Sequence, residues 1–275
     1  MKERKKVLYI SQEIAPYLPE SPMAIVGRDL PQSTQEMGYE VRTFMPKFGC
    51  INERRNQLHE VIRLSGMNVV IDDTDHPLII KVATLQPSRM QVYFIDNDDY
   101  FQFSPDKRLE IVSSPEDNDE RIMFFARGVI ETARKLRWNP AVIHCMGWTS
   151  ALVPLFLRKL YPDDPTFANS KIVFALRNED FEGSLDSRFI EKMKMYEFSG
   201  DDLKDIDSDS VDFIALNKLA IDYSDAIVQS TESVPQELID YALQSGKPFL
   251  NFNPDSKQFT EDYKNFYSTL LEESE

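Results

Sequence analysis

The residues able to do chemistry lie in three short stretches, each following an apolar, strand-like run. The first follows Lys6–Ser11 and reads Glu13-Ile-Ala-Pro-Tyr-Leu-Pro-Glu-Ser-Pro22. In an α/β protein this turn is where backbone amides and a helix N-terminus receive a phosphate. Here Pro19 and Pro22 have no N–H to offer, and Glu13 and Glu20 repel an anion. The plain reading of Pro19, Glu20, Ser21 and Pro22 is therefore a rigid connector. The second stretch is His144, on the apolar run Val142-Ile-His-Cys145, with Trp148 and Thr149 behind it. A histidine so placed is either a hydrogen-bonded core residue or a group at the carboxyl end of a strand, where α/β sites gather. The third is Arg177-Asn178, after the run Lys171–Leu176. A guanidinium and a carboxamide can hydrogen-bond a sugar hydroxyl, and Tyr17 and Trp148 offer rings on which a sugar can stack.

Several chemistries have no support. Neither G-x-G-x-x-G nor G-x-x-x-x-G-K-[ST] occurs, and there is no G-x-S-x-G elbow. His59, His76 and His144 have no context that marks a triad. Asp205-Ile-Asp-Ser-Asp209 begins like a calcium loop, but its sixth position is Ser210 and its twelfth Leu216. Asp96-Asn-Asp-Asp99 lacks a completing ligand, and two cysteines, Cys50 and Cys145, make neither a disulfide framework nor a zinc set. No metal and no cofactor are expected.

The elements that must position these residues alternate. Lys6–Ser11, Pro22–Met37 and Val41–Met45 form a strand, a helix stopped by Gly38 and a second strand, which is a βαβ unit. Three strands follow in Val61–Asp96, punctuated at Asp75-His76-Pro77 and Pro87-Ser88, and predict a hairpin excursion. Asp119–Arg137 predicts a helix, with Ile122, Phe125, Ala126, Val129, Ile130 and Ala133 on one face. From Asn139 the βα alternation is regular, ending in a helix from Ser233 to Gln244 capped by Ser233. The expected fold is α/β: a single doubly wound, mainly parallel Rossmann-like sheet with Lys6–Ser11 central and Glu13 at its carboxyl edge. Residues 1–245 form that domain. Residues 246–275 form a strand and helix tail whose Phe259, Tyr263, Phe266, Tyr267 and Leu270 share one face, and which docks back on it.

The 275 residues carry 31 basic and 46 acidic side chains, a formal charge of −15, which speaks against a nucleic-acid backbone as partner. No apolar run approaches membrane-spanning length, and the expected setting is the cytoplasm. Only 9 glycines leave few places for a phosphate-cradling loop.

Read in order, several stretches resemble the glycogen and starch synthases, glycosyltransferase family five. Val7-Leu-Tyr-Ile-Ser-Gln-Glu-Ile-Ala-Pro16 is similar to that family's opening strand and turn, and Leu30-Pro31 and Met37–Pro46 continue it. Tyr93–Asp96, Tyr100-Phe101, Asp117-Asn118 and Glu120-Arg121 follow in order and type. Ile143–Pro154 resembles the segment His-Ala-His-Asp-Trp-His-Thr, and Lys171–Asn178, Asp180–Gly183 and Tyr223–Ala226 extend the likeness to about residue 240. The resemblance implies one half of a GT-B fold, the domain that holds the growing α-1,4-glucan. It also implies departures where that family does its chemistry. The Lys-x-Gly-Gly loop that faces the nucleotide sugar's phosphates is Pro19-Glu20-Ser21-Pro22 here. The sugar-contacting second histidine of its His-Asp-Trp-His is Thr149, and a further histidine is Arg177, while Glu13, Trp148 and Asn178 are kept. Three expectations stand side by side. One is an ADP-glucose-dependent glucosyltransferase. Another is a non-catalytic glucan-binding, regulatory or assembly module. The last is a half-enzyme completed by a separate partner chain; the exposed cleft face is the expected contact for a protein partner or for a homo-oligomer. An α-glucan or an ADP-glucose-like molecule is the expected ligand.

Overall fold

The computed structural model describes residues 4–102, 117–196, 198–203, 206 and 210–272. Strand β1 (Lys6–Ser11) is buried from Val7 onward, and helix α1 (Pro22–Glu36) starts at Ser21, whose Oγ accepts the Ala24 amide at 2.9 Å. Serine at this cap and proline at the first helical position are the pairing that best starts a helix. Gly38, at φ 98°, ends it and turns the chain into β2 (Glu40–Pro46). Then come β3 (His59–Glu60), β4 (Met67–Ile71), β5 (Thr74–Leu85), β6 (Met90–Asp96) and the short α2 (Asp98–Phe101). The second half is α3 (Asn118–Leu136), β7 (Val142–Met146), α4 (Leu152–Leu160), β8 (Lys171–Leu176), α5 (Phe189–Lys194), α6 (Phe213–Tyr223), β9 (Ala226–Gln229), α7 (Gln236–Gln244), β10 (Phe249–Leu250) and α8 (Ser256–Glu272).

The sheet order is β10-β9-β8-β7-β1-β2-β6-β5-β3, with β4 paired to β5. Every pairing from β10 to β6 is parallel, and β5 is antiparallel to β3, β4 and β6. The sheet is thus mainly parallel with a hairpin excursion, as expected, and β1 is central. The chain leaves β1 toward β2 and later returns to its other side at β7, so the topological switch point lies between β1 and β7. Right-handed crossovers place α1 on one face and α3, α4, α6 and α7 on the other. Helix α8 joins α1, against which it packs. Tyr263, Tyr267, Leu270 and Leu271 of α8 are buried, while Phe259 and Phe266 are half-buried against the core.

Two sequence expectations are corrected. The break expected at Asp75-His76-Pro77 falls at Asp72-Asp73, both with positive φ (46° and 63°), as a two-residue hairpin requires. Pro77 instead sits within β5 opposite Asn68. Helix α7 begins at Gln236 after Pro235 and not at Ser233, because the residue before a proline is pushed out of the helical region, which keeps Val234 from a first turn. Asn118 and Asp119 lie inside α3, which begins after Asp117 without a side-chain cap. Of the Asp205–Asp209 stretch, only Ile206 lies among the described residues.

Candidate functional site

Three strand ends and one helix start meet around a small cleft. Gln12 follows β1, Pro46 ends β2 with Phe48 just beyond, and Trp148 and Thr149 open the turn after β7. Asn118, Arg121, Ile122 and Phe125 come from the first turns of α3, and Phe101 closes the apolar floor. Gln12, Asn118, Trp148 and Thr149 are each at least nine-tenths buried. Yet Gln12 Oε1, Asn118 Nδ2, Trp148 Nε1 and Thr149 Oγ1 have no hydrogen-bond partner among the described residues. Unpaired buried polar atoms are uncommon and costly, so four of them on residues that line one cleft call for a ligand or water to satisfy them. One is an acceptor, two are donors and the hydroxyl is both. That set suits a hydroxyl group, which also both donates and accepts. The cavity volume is about 30 Å³, room for a single water or hydroxyl-sized group.

Arg121 is positioned by its neighbours: Nε donates to the Tyr100 carbonyl at 3.2 Å and Nη1 to Asn118 Oδ1 at 3.2 Å. Burial lowers its pKa from the ordinary guanidinium value. The bond from Arg121 fixes the Asn118 amide so that its NH₂ group is the end left unpaired. Behind α3, Lys192 of α5 donates to Asp119 Oδ2 at 2.8 Å and Glu120 Oε1 at 2.6 Å, which ties α5 to the helix start. The Trp148 ring leans on Phe181 with centroids 4.8 Å apart. Gly147, at φ 74°, makes the turn that presents Trp148, and a Cβ there would lie 3.1 Å from Met23 Cε.

The turn after β1 is closed on itself. Ser21 Oγ donates to Glu13 Oε2 while accepting the Ala24 amide, and the Ile25 amide donates to the Ser21 carbonyl at 3.0 Å. Pro22 has no N–H. Two of the first-turn positions that would face an anion are thereby used, at Ala24, or lacking, at Pro22, and a carboxylate already stands at the helix start. Gly27 lets α1 lie directly on this turn: a Cβ there would come within 2.3 Å of the Glu13 carbonyl oxygen. Pro19 and Glu20 are exposed.

The other sequence-derived candidates are placed elsewhere. Tyr17 is buried, its ring edge-on to Phe94 at 4.9 Å, and burial raises its pKa to about 12. Arg177 is buried and bonded to Glu179 at 2.8 and 2.7 Å and to Ser230 Oγ at 3.2 Å, which holds the guanidinium against its own loop. Asn178 is exposed. His144 is fully buried beneath α8, where its Nδ1 meets the Tyr267 hydroxyl at 2.9 Å, and burial lowers its pKa to about 3. Trp148 and Thr149 are therefore brought together in the cleft, and Glu13 with Ser21 beside α1. Sequence reasoning missed Gln12, Asn118 and Arg121 as cleft residues. The available signal was position: one residue past the central strand, and the first turn of the helix entering the switch point. Among the described residues no group of three His, Cys, Asp or Glu is placed to hold a metal ion, and no helix is long and apolar enough to cross a membrane.

The family model of the starch synthase catalytic domain matches residues 6–247. Glycogen synthase of Chlorobium luteolum is 37% identical over 199 residues, covering 71% of this chain and 40% of that protein. Glycogen synthase of Pelodictyon phaeoclathratiforme is 32% identical over 244 residues, covering 87% and 48%. Among solved structures, the catalytic domain of starch synthase IV from Arabidopsis thaliana, bound to ADP and acarbose, superposes with a TM-score of 0.71 at 20% identity. That match covers 91% of this chain and 51% of the other, and establishes likeness of fold. The chain spans less than half the length of these glycogen synthases.

Proposed function

This chain belongs to the starch synthase catalytic-domain family, and we propose that it binds α-glucan at the β1–β7 cleft without by itself transferring glucose from ADP-glucose. The observation that carries this reading is the contrast between two neighbouring places. Residues lining the cleft carry four buried polar atoms with no partner among the described residues, a set complementary to a hydroxyl. At the start of α1, donors that a diphosphate would need are consumed by Ser21 or absent at Pro22, and Glu13 adds a negative charge. Glucosyl transfer builds charge on a departing diphosphate, and its stabilisation needs preorganised donors or cations. A neutral sugar needs neither. The cleft takes one hydroxyl-bearing arm of the sugar, with Trp148 Nε1 and Asn118 Nδ2 donating and Gln12 Oε1 accepting, and the pyranose ring lies at its mouth.

The test is incorporation of labelled glucose from ADP-glucose into glycogen by the purified chain with no partner added. The reading expects incorporation no greater than a control without protein. Incorporation above that control would overturn it.

A further inference from the structure

Helix α3 meets the cleft with one face and is held by another. Asn118, Arg121, Ile122 and Phe125 line the cleft at positions i, i+3, i+4 and i+7 of the helix. Asp119 and Glu120, between the first two, leave that face for other sides of the helix. The rotation of α3 about its own axis therefore decides where the Asn118 Nδ2 donor stands. The helix start does not fix that rotation by itself, since Asp117 makes no side-chain cap. The hold comes from neighbouring elements. Lys192 Nζ reaches Asp119 Oδ2 at 2.8 Å and Glu120 Oε1 at 2.6 Å, with Asp186 Oδ1 farther off at 3.7 Å. The second carboxylate oxygen, Glu120 Oε2, accepts the Tyr100 hydroxyl at 2.9 Å, and the carbonyl of that same tyrosine accepts Arg121 Nε.

Lys192 stands on a fixed base. Phe189 and Met193 of α5 are buried, and Arg188 donates to both carboxylate oxygens of Asp72 at 2.8 Å. Lys192 and Asp119 are buried as well, and a buried charge is costly unless it is paired and hydrogen-bonded. Packing alone does not call for an ammonium here, because well-packed apolar side chains in place of a buried ion pair are often as stable or more so. Charge-assisted hydrogen bonds supply what apolar packing lacks, a direction. Two of them, to consecutive residues of one helix turn, fix that turn against rotation. We infer that Lys192 is a positioning residue for the cleft, holding the first turn of α3 in the rotation that presents Asn118 and Arg121 to the ligand. It lies outside the cleft lining and acts through Asp119 and Glu120. The role rests on the glucan-binding reading of the cleft given above.

Maltopentaose titrated into the ¹⁵N-labelled full chain and into Lys192→Met, followed by NMR, tests this, with urea unfolding of each protein measured alongside. The two tryptophans divide the work. Trp148 reports the cleft, and Trp138, past the other end of α3 and bonded to Glu40, reports that the domain is folded. In the unsubstituted chain the Asn118 side-chain amide and the Trp148 indole N–H are expected to shift. In Lys192→Met, with the Trp138 signal in place, Trp148 still shifts at saturation and the Asn118 shift is lost. Apparent affinity falls about 3- to 10-fold, as loss of one hydrogen bond implies. Glu120→Gln keeps the side chain's shape and removes its charge; it is expected to show the same pattern more weakly, and it decides the matter where Lys192→Met does not fold. A lower urea midpoint with unchanged affinity and an unchanged Asn118 shift would make Lys192 a stabilising residue only, which overturns the inference and spares the cleft. Asn118 and Trp148 signals that both stay still in the unsubstituted chain remove the cleft reading, and the positioning role with it.

Discussion

His144 donates its Nδ1 proton to Tyr267 because every hydroxyl further along has its own proton committed. Thr34 Oγ1 donates to the Leu30 carbonyl at 2.9 Å, so it accepts from Tyr9 at 2.7 Å. Tyr9 then accepts from Tyr267 at 2.9 Å, and Tyr267 from His144. The ring is neutral, with its Nε2 buried and without a partner among the described residues. Burial depresses its pKa from 6.5 to about 3. The unfolded chain therefore binds the extra proton first. Stability from the neutral ring is present above pH 6.5 and lost as pH falls toward 3. At pH 5 the loss is about 2 kcal/mol relative to neutral pH, from ~1.36 kcal/mol per pKa unit. His144→Phe removes this component. Urea unfolding at pH 7.5 and pH 5 is expected to show a drop smaller by that amount in the variant, and equal drops in the two proteins would refute the assignment. The same residue shows what sequence cannot reveal: the group that turns His144 from a ligand candidate into a core residue lies 123 positions away, in α8.

At the scale of elements, the parallel half of the sheet was legible in the sequence. β1 and β8 match their apolar runs residue for residue, because a strand buried on both faces is bounded sharply by the polar residues that leave the core. The excursion was less so. Pro77 looked like a breaker, but β5 carries it within its pairing with β4, and the true turn used two aspartates in the left-handed region. Helix α8 was predicted from its aromatic face, and its contribution to stability follows from what it buries. Tyr263, Tyr267, Leu270 and Leu271 are worth roughly 1.5–3 kcal/mol each when fully buried, offset in part by ordering the helix. Removing residues 256–275 also uncovers Tyr9 and His144. At ~2–4 °C per kcal/mol for a chain of this size, the melting temperature is expected to fall by roughly 10 °C or more. An unchanged melting curve would show that α8 contributes nothing to holding the domain together.

Over the whole molecule, family membership and the sheet's switch point were readable from motifs that keep their order across most of the chain. The composition of the cleft was not. Trp148 and Thr149 stood out by resemblance, whereas Gln12 and Asn118 acquire meaning only once β1, β7 and α3 converge and leave their polar atoms without partners. Arg177 and Tyr17, chosen for chemistry that suits a sugar, are held by Glu179 and by Phe94. A formal charge of −15, a carboxylate at the start of α1 and an unpaired polar set at the cleft all point toward a neutral ligand in preference to an anionic one. Calorimetric titration of the full chain with maltopentaose and, in parallel, with ADP-glucose tests that preference most directly. Heat of binding with maltopentaose and none with ADP-glucose is the predicted result; saturable binding of ADP-glucose, with or without maltopentaose, would contradict it.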